Sequence, residues 1–171
     1  MTRNMFAAVA LAVAVAGAQE VYTTWGSMRT LTLNQSGITQ GVGKFPLLVR
    51  LTSAHADVFA GSKGRGADIR FTKSDLVTRY PHQIERWDSA GQKAEIWVLV
   101  DTVRADARLN LKMLWNKAGA ADSSKGSAVF SASNGFVSVL HLGDSTGTNP
   151  RPNQVAGAPA GILQHFNDVQ D

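Results

Sequence analysis

The chain has 171 residues, a length that holds one domain with a substantial core and excludes a second complete one. Its 44% hydrophobic and 18% charged residues exclude a disordered body, and the lack of any cysteine excludes disulfides and thiolate-based metal or redox centres. The net charge of +4 comes from scattered Lys and Arg, with no block longer than Lys63-Gly64-Arg65, so nucleic acid is not an expected partner; an acidic glycan or cell-surface polymer is compatible with it.

Residues 1–18 read as a secretory signal peptide. Met1-Thr2-Arg3 gives a basic start, residues 5–15 form an unbroken apolar run, and Ala16-Gly17-Ala18 is the small-x-small pattern cut by a signal peptidase, leaving Gln19 as the mature N-terminus. The run is shorter than the roughly 20 residues a spanning helix needs. No later stretch is apolar enough to span. The mature product is therefore expected outside the cytoplasm, in the periplasm, on the outer surface or in the medium, with no membrane span after signal removal.

The expected strands then follow in order. Residues 28–33 (MRTLTL) alternate, with Arg29, Leu31 and Leu33 on one face. Residues 34–44, with their glycines, form a loop. Residues 45–51 (FPLLVRL) are dense in β-formers, and Pro46 fits a strand start or an edge. Residues 54–60 suit a short turn of helix. The glycine-rich connector 61–66 lacks the Lys-Ser/Thr ending of a phosphate-cradling loop.

Residues 66–100 are the stretch around which the chain is organised, with three strands and two turns. Ile69 and Phe71 fall on one side of an extended chain, Asp68 and Arg70 on the other. In the next strand simple alternation puts Gln83, Glu85 and Trp87 on one face and His82, Ile84 and Arg86 on the other, before the turn residues Ser89 to Gln92. In residues 95–100, Ile96, Val98 and Val100 share one face while Trp97 and Leu99 share the other. Both faces are apolar, which predicts a strand buried on both sides. Residues 108–115 alternate with one wet face, Leu114 being the exception, and Val129-Phe130 and residues 136–142 are read as the last strands. Residues 144–171 form an irregular tail rich in Gly, Pro and Asn.

Short strands separated by turn signals, without a long helical pattern, predict an all-β, antiparallel β-sandwich or jelly-roll-like single domain. The expected division is a signal peptide (1–18), a β-sandwich domain (19–143) and the tail (144–171). The expected core between the sheets is Phe71, Ile84, Ile96, Val98, Leu109, Leu111 and Phe136.

The blocks FPLLVRL (45–51), GADIRF (66–71), PHQIERWD (81–88) and WVLV (97–100), followed by Met113-Leu114-Trp115, Ser123-Ser124-Lys125-Gly126, Ala128-Val129-Phe130 and His141-Leu142, resemble the bacterial DUF2341 family over residues 25–142. That resemblance implies an exported or surface β-domain of unknown function. Its relatives are usually followed by a concanavalin A-like, laminin-G type lectin module, and some are annotated for biopolymer transport. The segment after His141-Leu142 resembles the opening of such a module, and Asp171 falls before most of it, so the sequence is expected to be a fragment or a truncated gene. Leu140 stands where the family commonly has Trp. The transport function does not carry over, since no helical membrane pattern is present.

The candidate site residues are Asp68, Arg70, His82, Gln83, Glu85 and Trp87, for ligand binding or for fixing strand register. An Asp68–Arg70–Glu85 charge network is the simpler reading, and a hydrolase using Asp68 and Glu85 across a cleft is the alternative. His82 and Glu85 make a poor metal pair on a strand, and no cofactor or metal is expected. Trp87 is the candidate sugar platform because it shares a face with Gln83 and Glu85. The expected function is a non-catalytic accessory or binding module at the cell surface, towards carbohydrate or as scaffold for an adjoining lectin-like domain; a structural module of an envelope assembly is a further alternative.

Overall fold

The computed structural model describes residues 20–35, 37–142 and 150–162. The expected signal peptide and much of the expected tail lie outside these residues. The fold is all-β, two antiparallel sheets packed face to face. The first sheet contains β1 (Ser27–Thr32), β7 (Asn110–Trp115), β3 (Arg70–Lys73) and β4 (Arg79–Tyr80), in that spatial order; the second contains β2 (Val42–Leu51), β6 (Lys93–Val103) and β5 (His82–Asp88). A short helix α1 (Ala56–Gly61) follows β2, and a single helical turn α2 (Gly126–Val129) follows β7.

The core between the sheets is built from the alternation seen in the sequence. Phe71, Leu111, Met113 and Trp115 from the first sheet meet Leu51, Ile96, Val98 and Val100 from the second, all buried. Ile84 and Leu109 are partly buried and pack against this cluster. Phe136 does not belong to it. It lies in a second cluster with Val129, Phe130 and Val155 that packs on Trp97 and Leu99. The two apolar faces of β6 therefore have separate cores, as its sequence requires.

The cover over Trp97 and Leu99 comes from segments expected to be strands or irregular tail. Val129 belongs to α2, and residues 132–134 form a 3-10 turn closed by a Ser131/Asn134 capping box. Residues 136–142 make a single bridge, Leu140 with Asn153, and no strand. These residues lie across the outer face of the second sheet, where Phe136 and Val139 pack with Trp97 and Leu99. Within the tail, residues 150–162 fold back, with Val155 and Arg151 buried.

An N-terminal cover on the first sheet mirrors this arrangement. Leu114 breaks the alternation of β7 yet is 1% exposed; it pairs with Arg70 and Met28, and the N-terminal segment is tied to Arg70 through Glu20 and the Trp25 ring.

Candidate functional site

Strand β5 carries most of the candidate residues, and one irregularity decides where they point. Its register against β6 shifts between Ile84 and Arg86, so that Glu85 is an extra residue in a β-bulge. Past a bulge the parity of a strand inverts. Trp87, opposite the buried Ala94, therefore turns inward and packs on Phe59 with ring centroids 5.0 Å apart. Its Nε1 donates to Ser89 Oγ. The expected common face of Gln83, Glu85 and Trp87 is not formed, and Trp87 is not an exposed platform. The consecutive polar residues Glu85-Arg86 inside an alternating strand are the sequence sign of this bulge.

A different tryptophan stands beside Glu85. Trp97 Nε1 donates to Glu85 Oε2 at 2.6 Å, and His141 Nδ1 lies 3.1 Å from Glu85 Oε1. The other ring nitrogen of His141 is 3.1 Å from Gln83 Oε1, and Gln83 Nε2 donates to Gln154 Oε1 at 2.8 Å. Phe130 packs edge-on against Trp97 and His141 and holds both rings. The result is a linked row of carboxylate, imidazole, amide and indole on the outer face of the second sheet. Glu85 keeps 28% of its side chain exposed and His141 keeps 16%. Trp97, His141 and Gln154 were not among the candidates from sequence. The signal for Trp97 was the doubly apolar β6, whereas His141 and Gln154 are brought in by the C-terminal cover, which has no periodicity to read.

Asp68 and Arg70 are buried and serve other partners. Asp68 is 0% exposed, and its two carboxylate oxygens accept the backbone N–H groups of Lys63 and Lys117 at 2.8 and 2.9 Å. It ties the connector before β3 to the loop after β7. Arg70, 1% exposed, makes a forked pair with Glu20 and donates its remaining N–H groups to the carbonyls of Ala67, Ile69 and Ala121. Such a saturated guanidinium is a structural arrangement. Burial alone would raise the Glu20 carboxyl, but the hydrogen bonds and charge of Arg70, aided by Tyr22 and Arg79, outweigh it and hold Glu20 below its ordinary range. The expected Asp68–Arg70–Glu85 network is thus replaced. Arg70 has Glu20 as its partner, and Glu85 belongs to the other sheet.

His82 lies inward at the start of β5, edge-on to Phe71 at 5.5 Å. Burial, then the charges of Arg79 and Arg70, push its pKa down to about 3, so the ring is neutral at physiological pH. Among the described residues no three His, Asp or Glu side chains are grouped to hold a metal ion.

Residues 65–145 match the model of the family described as a domain of unknown function, DUF2341. The match covers the later blocks of the resemblance, from 66–71 to His141-Leu142, but not residues 25–64 with the block 45–51; it contains Asp68, Arg70, Gln83, Glu85, Trp97 and His141, but neither Glu20 nor Gln154. Neither the curated proteins nor the solved structures contain a match to the chain.

Proposed function

We propose that the protein is an exported, non-catalytic binding module that acts at the cell surface and takes carbohydrate on the outer face of its second sheet. The observation that carries this reading is Glu85, a partly exposed carboxylate fixed by Trp97 and His141. Sugar recognition needs hydroxyl acceptors and donors held beside an aromatic surface, and side chains already locked by one another lose little entropy on binding. Glycoside hydrolysis needs two carboxyl groups across one cleft. Asp68 cannot be the second, since it is fully buried beside the first sheet and held there by two backbone N–H groups. Export is supported by the basic start, apolar run and small-x-small pattern of residues 1–18.

The test is a glycan array probed with the mature protein and with Glu85→Gln. Binding to a defined set of glycans that the variant loses supports the reading, and an array with no bound glycan removes it.

A second reading, a scaffold for an adjoining lectin-like domain, is favoured by the exposed apolar side chains near the C-terminal cover. Val137, Leu142 and Ile162 are 85%, 63% and 67% exposed. Replacing all three with Ser should abolish docking of a lectin-like domain added in trans and leave glycan binding unchanged.

A further inference from the structure

A cavity of about 310 Å³ opens where the chain crosses from β4 to β5, lined by Arg79, Pro81, His82, Ser123, Lys125 and Ala128. It shares no lining residue with the Glu85 array, although His82 and Lys125 are chain neighbours of Gln83 and Gly126. Residues 123–125 are tied to β4 and β5 at three points. Arg79 donates to the Ser123 carbonyl, the Lys125 N–H donates to the His82 carbonyl at 2.9 Å, and Ser124 Oγ accepts the Ile84 N–H at 2.8 Å.

Two polar atoms of the lining residues have no hydrogen-bond partner although they are buried: His82 Nδ1 and Ser123 Oγ. Leaving such groups unpaired costs about 1–3 kcal/mol each, and native proteins keep few of them without a reason. His82 is 1% exposed, and its surroundings hold it as a neutral imidazole with one N–H to give.

The charge on the cavity is positive. Arg79 approaches Glu20 only at 3.6 Å, and Glu20 is already forked onto Arg70. Lys125 is exposed and makes no ion pair among the described residues. Pro81 and Ala128 supply apolar side chains to the rest of the lining. The volume is at the small end of ligand pockets, about 300–1,000 Å³.

The geometry points to a binding site for a single carboxylate group attached to a compact body, with Arg79 and Lys125 facing the charge and Pro81 and Ala128 against the body. Two cations attract any small anion, and the carbon walls select one that carries an apolar flank, which inorganic phosphate lacks. The carboxylate can come from a free organic acid or from a uronic acid unit of a polysaccharide. Both share the chemistry that the cavity selects.

The test is calorimetric titration of the mature chain with benzoate, galacturonate, benzamide and inorganic phosphate, in the wild type and in Lys125→Glu and Ala128→Leu. The first substitution reverses a charge whose side chain holds no other element, and the second fills the cavity. Saturable binding of benzoate or galacturonate at roughly millimolar concentration or below is expected, with benzamide and phosphate much weaker. Lys125→Glu should weaken binding at least tenfold at an unchanged melting temperature, and Ala128→Leu should abolish it. Tighter binding of galacturonate identifies the polymer source, and tighter binding of benzoate the free acid. The proposal is overturned if neither acid binds, if phosphate or benzamide binds as tightly, or if Lys125→Glu binds like the wild type. Glycan binding lost only in Glu85→Gln would separate the outer-face site from this one.

Discussion

Arg70 and Glu20 form a forked ion pair in which an almost completely buried guanidinium is neutralised by a carboxylate 50 residues earlier in the chain. Glu20 is 31% exposed at its side chain, so the pair lies between a surface salt bridge and a buried one. Such a pair is costly to break from one side, because the remaining charge is left buried.

Glu20→Gln should therefore destabilise the fold by about 2 kcal/mol, between the surface and buried cases. Urea unfolding at neutral pH measures this. Because Arg70 lowers the folded pKa of Glu20, the pair stabilises fully above the ordinary value of 4.5 and loses its contribution as pH falls through the folded value. The stability gap between wild type and variant should narrow on acidification. A gap that widens would contradict the assignment of Glu20 as the partner of Arg70.

His82 gives a pH dependence in a different window. Its folded pKa of about 3 is far below the ordinary 6.5, so the unfolded chain takes up a proton that the folded chain refuses. Stability is fully present above pH 6.5 and is lost as pH falls below it, with a slope approaching ~1.4 kcal/mol per pH unit. Unfolding curves between pH 7 and pH 5, above most carboxylate titrations, should show this slope in the wild type and a flatter one in His82→Gln.

Gly66 has φ +69°, and a Cβ there would stand 2.8 Å from the Trp87 ring. Gly66→Ala should cost about 2–4 kcal/mol from backbone strain and overpacking together. Trp87→Ala should cost about 2–3 kcal/mol, below the value for a fully buried aromatic because the ring is only partly buried. Both values are readable from urea midpoints. A Trp87→Ala protein with unchanged stability and lost glycan binding would restore Trp87 as an exposed platform.

The strands are legible because alternation over β1 and β6 records burial directly, whereas at β3 it separates Ile69 and Phe71 from Asp68 and Arg70 although all four are buried. Ile96, Val98 and Val100 face one core and Trp97 and Leu99 the other, and no tertiary knowledge was needed to separate the two sets. The bulge at Glu85 is invisible to simple alternation, and its one extra residue reverses every later side chain of β5. Glu20, His141 and Gln154 were illegible for another reason. Each reaches its partner through a segment without periodicity, and pairings such as Glu20 with Arg70 or Gln83 with Gln154 leave no trace in local spacing. Val129-Phe130 and residues 136–142 have strand-like composition, but they are spent covering a sheet face, and a covering segment needs apolar side chains without a ladder.

The central claim is that the polar row around Glu85 binds glycan and does not turn it over. The most direct measurement is titration of the mature protein with oligosaccharides taken from its array hits, following heat and newly formed reducing ends in the same sample. The account predicts saturable heat, no new reducing ends, and loss of the heat in Glu85→Gln at an unchanged melting temperature. Steady release of reducing ends that disappears in Glu85→Gln would contradict it.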